Sequence, residues 1–235
     1  MTEPITWHVA VGDEHTTAIY EPATTGGNDT VFVCAHGAGG HMCDRSMNAL
    51  AQALRATGIG AVRFNFLYRE QGSNRPDAMP RLQTCMKAVI EHARSALTPK
   101  TLLIGGRSMG GRAASMLAAD GYLCDGLLLL AYPLHPAGKP EKLRDAHLPR
   151  IQEPVLCFNG TRDTLCTREL MDRTVQPLAP RWRMHWLEGA DHSFHVLKSS
   201  GRTDADVLKE VADMTSKWVA DRVRDRRVGP AASSQ

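Results

Sequence analysis

A chain of 235 residues with 43% hydrophobic and 23% charged side chains has the usage of a globular protein with a sizeable core, which excludes wholesale disorder. Twenty-eight Lys and Arg against 25 Asp and Glu leave a formal charge of +3, too small and too dispersed to make nucleic acid the main partner. The longest apolar stretch, residues 126–134, falls far short of the roughly 20 residues that a membrane-spanning helix requires.

The opening Met1-Thr2-Glu3-Pro4-Ile5-Thr6-Trp7-His8 lacks the basic start and apolar centre of a secretory leader, so a cytoplasmic location is expected. The six cysteines then read as reduced thiols, with Cys34 and Cys157 inside apolar runs. Residues 5–11 and 16–20 flank Gly12-Asp13, a turn signal that predicts an antiparallel hairpin at a sheet edge. Residues 31–34 form the first buried strand. After Asp44, a suitable N-cap, Met47, Leu50, Ala51 and Leu54 repeat at helical spacing until Gly58 supplies a left-handed stop. Strand-like runs follow at 61–66, 101–104, 126–131, 155–158 and 183–187. Between and after them lie helical stripes: Leu82, Met86, Val89, Ala93 and Leu97; the small-residue stretch 112–119 before Gly121; and Val207, Val211, Met214 and Trp218. Such alternation predicts an α/β fold with a mostly parallel central sheet and helices on both faces. Neither a repeat nor a Gly/Ser-rich linker interrupts it. The expectation is one domain over residues 1–228 and a flexible tail over 229–235.

Gly106-Arg107-Ser108-Met109-Gly110 matches G-x-S-x-G, in which a serine occupies a tight turn between a strand and a helix. The turn forces neighbouring backbone close, so the positions two before and two after the serine must be small. A serine hydroxyl needs an imidazole to accept its proton and a carboxylate to orient that imidazole. In chain order the acid and base should follow on loops after later strands. Asp163 follows the run 155–158 and the turn Asn159-Gly160, and His192 lies in Gly189-Ala190-Asp191-His192-Ser193-Phe194. His195 is the reserve base, His185 sits within a strand run, and Asp172 and Asp191 are the rival acids. Acyl transfer also needs donors for the developing oxyanion. The Met109 amide, directly after the serine, supplies one, and the Ala38 amide in His36-Gly37-Ala38-Gly39-Gly40 is expected to supply the other.

Cys34, His36, His41 and Cys43 carry zinc-ligand chemistry, but Cys34 belongs to a strand and no paired C-x-x-C spacing exists, so no metal is expected. Met42 breaks G-x-G-x-x-G in the glycine-rich stretch, and no G-x-x-x-x-G-K-[ST] occurs, so no cofactor is expected either. Residues 132–154, rich in proline, have room for a loop and a small helix but no cap domain, so the lid is minimal and the pocket open. Tyr68, Arg69, Tyr132 and His135, which follow strand ends, are expected with His36 to contact substrate, and Arg69 has the charge to attract a carboxylate.

With these motifs the chain resembles the α/β-hydrolase superfamily over roughly residues 31–219. Gly105-Gly106-Arg107-Ser108-Met109-Gly110-Gly111-Arg112 and Tyr132-Pro133-Leu134-His135-Pro136 resemble the testis-expressed protein 30 group, a dienelactone-hydrolase-like branch related to a domain of the non-specific-lethal complex. The resemblance implies the α/β-hydrolase fold and a Ser108, His192 and Asp163 triad. Dienelactone hydrolases use a cysteine nucleophile where this chain has Ser108, so their substrate does not carry over. The expected activity is that of a carboxylesterase or thioesterase on small to medium acyl substrates, with water as the second reactant and no membrane partner; the oligomeric state stays open. The alternatives are an interaction module on the same fold, which the resemblance to a chromatin-complex subunit suggests, and an acyltransferase or perhydrolase using the same triad.

Overall fold

The computed structural model describes residues 3–27 and 29–227, with side chains as far as residue 221; the expected tail at 229–235 lies outside the described residues. Eight strands form one sheet: β1 (Ile5–Val11), β2 (Glu14–Glu21), β3 (Thr30–Ala35), β4 (Ile59–Phe64), β5 (Thr101–Arg107), β6 (Gly126–Leu130), β7 (Val155–Gly160) and β8 (Trp182–Leu187). Their order is β1-β2-β4-β3-β5-β6-β7-β8. The hairpin β1–β2 is antiparallel and turns at Gly12-Asp13, with Val11 opposite Glu14. From β4 to β8 every pairing is parallel.

The apolar runs become central strands because alternate residues serve two different cores. In β3, Val31, Val33 and Ala35 face one layer while Phe32 and Cys34 face the other. The first layer is covered by α3 (Met79–Leu97), α4 (Met109–Ala119) and α5 (Arg168–Val175), through Met86, Val89, Ala114 and Met171. On the opposite side α1 (Arg45–Arg55) packs against α6 (Asp204–Arg227), joining Met47, Leu54, Val207, Val211 and Trp218 over Phe32 and Leu128. A short α2 (Leu67–Glu70) follows β4. The fold is that of an α/β hydrolase with an amino-terminal antiparallel hairpin.

Some boundaries differ from the sequence reading. Strand β4 begins at Ile59 and ends at Phe64; Asn65 still donates its amide to Thr17 O at 3.1 Å but turns its side chain toward the loop after β3. Strand β5 runs on into the G-x-S-x-G motif, and α4 starts at Met109, so a single residue separates strand from helix. Asp44 stands at the N-cap of α1, but its carboxylate accepts from the His41 amide at 2.8 Å instead of capping the helix. Between β6 and β7 the chain makes only a 3-10 turn at Leu148–Arg150. All six cysteines are free, and burial pushes the Cys34 thiol up to about 12. Among the described residues no helix is long and apolar enough to cross a membrane.

Candidate active site

Ser108 joins β5 to α4 with φ +48° and ψ −112°, a left-handed conformation that side-chain-bearing residues rarely adopt. Its amide donates to Leu130 O at 2.8 Å, which ties the turn to β6. The flanking glycines allow the approach. A Cβ on Gly106, at φ +147°, would stand 2.2 Å from Ala35 O, and one on Gly110 would stand 2.7 Å from the Ala35 and His36 carbonyl oxygens. The serine is thereby presented at the carboxyl end of the sheet, at the mouth of a cavity of about 360 Å³.

Two loops after later strands meet it there. His192 Nε2 lies 2.9 Å from Ser108 Oγ, and His192 Nδ1 lies 2.8 Å from Asp163 Oδ2. Asp163 is held from every side. The Leu165 amide donates to Oδ1 at 2.8 Å and Asn159 Nδ2 donates to Oδ2 at 3.2 Å, while no part of the carboxylate side chain reaches solvent. Nδ1–H donation to Asp163 leaves Nε2 free to accept the serine proton. In the sequence Asn159 is marked only as a turn residue. Its Oδ1 accepts from the Tyr132 amide at 3.2 Å and its Nδ2 donates to Tyr132 O at 3.0 Å, so one side chain fixes both the acid and the loop after β6.

The loop after β3 passes close to the serine, with an added Gly37 Cβ only 3.6 Å from Ser108 Cβ. It is anchored at several points: Gly40 N donates to Gly37 O at 3.1 Å, Gly39 N to Tyr68 Oη at 3.2 Å, and Met42 N to Asn65 Oδ1 at 3.0 Å. The Ala38 amide lies between these anchors and has no acceptor among the described residues. The Met109 amide, first in α4, has no preceding helical turn to bond to. The site therefore holds a hydroxyl, imidazole and carboxylate in hydrogen-bonded series beside two unused backbone donors. That constellation can perform nucleophilic acyl transfer.

A family model described as an alpha/beta hydrolase domain matches residues 28–220. The chain belongs to the alpha/beta hydrolase domain family. Among solved structures, an alpha-beta serine hydrolase homologue from Coxiella burnetii is 21% identical with TM-score 0.72, over 90% of this chain and 96% of that one. A serine hydrolase without lid from Xanthomonas campestris is 22% identical with TM-score 0.72, over 93% and 96% of the two chains. A dienelactone hydrolase from Anabaena variabilis is 19% identical with TM-score 0.71, over 94% and 99%. At these identities the likeness establishes the shared fold.

Within this hydrolase fold the rival histidines and acids are engaged elsewhere. His195 Nδ1 pairs with Asp204 at 3.0 Å, and His185 Nε2 with Glu210 at 2.7 Å. Asp172 accepts from Trp186 Nε1 at 2.9 Å, and Asp191 accepts the Ser193 and His195 amides. Cys34 is sealed inside the sheet, away from exposed Cys43.

The expected substrate contacts need correction, because a place after a strand end does not fix where a side chain points. Tyr132 is 0% exposed, with its hydroxyl donating to Arg144 O at 2.7 Å. Tyr68 is 1% exposed and spends its hydroxyl on Gly39 N. His135 is buried, accepting from Thr167 N at 3.1 Å and donating to Pro136 O at 3.0 Å. Arg69 donates to Ser73 O at 2.9 Å and to Asn74 Oδ1 within its own loop. His36 backs the cavity, yet its ring is fully buried: Nδ1–H donates to Gly37 O at 2.8 Å and Nε2 accepts from Phe66 N at 3.2 Å. These five residues shape the walls and loops of the site. Of the five, His36 lines the cavity, together with residues that include Arg107, Leu165 and Ser193, whose placement depends on segments far apart in sequence.

Proposed function

We propose that this α/β hydrolase is a carboxylesterase or thioesterase acting on small to medium acyl groups through an acyl-enzyme. The observation that carries the reading is the unbroken series from Ser108 Oγ through His192 to Asp163, at 2.9 Å and 2.8 Å, around a serine held in a left-handed turn. Ser108 Oγ attacks the acyl carbon while its proton passes to His192 Nε2, and the carbonyl electron pair moves to an oxyanion received by the Met109 and Ala38 amides. Asp163 holds the imidazole by Nδ1–H and offsets its positive charge. Collapse of the oxyanion expels the alcohol or thiol, which takes the proton from His192. Water then attacks the acyl-serine by the same proton route, releasing the acid and restoring Ser108.

The resemblance to the testis-expressed protein 30 group supports a serine nucleophile and supplies no substrate. Lengths and leaving groups are settled by rates on a panel of acyl esters and acyl thioesters, with product analysis in the presence of an alcohol acceptor. Saturable hydrolysis that Ser108→Ala abolishes supports the reading. Transfer to the alcohol in preference to water would make the chain an acyltransferase, and absence of turnover across the panel would favour an interaction module.

A further inference from the structure

The acyl-transfer steps leave two charged side chains of the cavity wall unused, Asp44 and Arg107. Arg107, next to the nucleophile, is fixed twice: Nη2 donates to His192 O at 2.9 Å, and Cζ lies 5.3 Å from the centre of the Phe194 ring. A guanidinium so held loses little rotamer freedom when it binds a ligand. Burial lowers its pKa, and the carboxylates of Asp191, Asp163 and Asp44 oppose that shift. The carboxylates that act on it are committed to other groups. Asp163 serves His192, Asn159 and Leu165, Asp191 holds the Ser193 and His195 amides, and Asp44 holds the His41 amide at the start of α1. Arg107 is only partly buried where it lines the cavity, and its fork of donors fits a carboxylate in two-point contact.

Building on the hydrolase reading above, we propose that Arg107 determines specificity and that the preferred substrate is an acyl ester or thioester with an anionic group on its acyl chain, as in a half-ester of a dicarboxylic acid. The anion would pair with Arg107 from within the cavity while the acyl carbon lies at Ser108. A guanidinium that only staples the His192 loop would favour no charge on the substrate.

Two esters of one shape separate these cases: monomethyl glutarate and its neutral amide isostere, methyl glutaramate. Binding is measured on Ser108→Ala protein and turnover on the wild type. The account predicts that the anionic ester binds about tenfold to a hundredfold more tightly, that Arg107→Met removes this preference, and that Arg107→Lys keeps part of it. Losing the His192 contact slows both esters alike, so the ratio between them reads the charge. Arg107→Gln, which retains a donor for His192 O, provides the same comparison if the methionine variant fails to fold. Equal affinity for the two esters, or a preference that survives in the Met and Gln variants, would overturn the proposal. A protein that hydrolyses neither ester but prefers the anion would sink the hydrolase reading and leave anion recognition standing.

Discussion

Ser108 carries two opposing demands, since its φ of +48° strains the backbone and the same turn lifts its hydroxyl toward His192. Replacing it with glycine should therefore raise the melting temperature above that of Ser108→Ala, by about 1 kcal/mol of stability, with both variants inactive. Equal melting temperatures would show that the turn is unstrained. Asp163→Asn keeps the shape of the acid but turns an amide toward Nδ1, and should lower kcat by about 10³- to 10⁴-fold with a folded protein by circular dichroism. The serine was legible in the sequence because its steric neighbours are part of the motif. Asp163 and His192 were legible because chain order and strand ends narrow the choice. Asn159, Asn65 and Arg107 were not, since each acts on a loop from another part of the chain, and no local spacing reports such a meeting.

At the scale of elements, the contact between α4 and the end of β3 sets how closely the two amide donors approach each other. Gly110→Ala would press a methyl group against Ala35 and His36, at 2.7 Å before relaxation. The expected cost is about 1–3 kcal/mol, with a lower kcat as the loop after β3 moves outward. Tyr68→Phe tests the same loop more gently. It removes the hydroxyl that receives Gly39 N–H, and should reduce kcat up to roughly tenfold while leaving KM nearly unchanged. Helix α6 is fastened by a capping box in which Asp206 N donates to Thr203 Oγ1 at 3.2 Å and Thr203 N donates to Asp206 Oδ2 at 2.8 Å. Thr203→Ala should lower stability by about 1 kcal/mol in a denaturant titration without touching the rate.

Across the whole molecule, two histidines, His36 and His147, are buried as neutral groups. Burial pulls both His36 and His147 down to about 4, His36 behind the oxyanion loop and His147 against Ser115 Oγ at 2.8 Å. Their unfolded counterparts take up protons near 6.5. In the window from about 6.5 down to about 4 the unfolded chain binds more protons, so stability present above that window is lost as pH falls through it. The two groups together should withdraw a few kcal/mol, and His147→Gln should flatten the profile; a pH-independent midpoint across this range would contradict the assignment. The architecture itself was largely legible, because strands buried on both faces read as apolar runs and the longer helices as stripes; the short helices α2 and α5 carry too few turns to show a stripe, and several strand ends shifted. The most direct test of the catalytic account is labelling of the folded protein with a fluorophosphonate, followed by intact mass and peptide mapping. The account predicts one adduct, on the peptide containing Ser108, absent in Ser108→Ala and greatly slowed in His192→Ala. A folded protein that takes no label, or takes it on another residue, would contradict it.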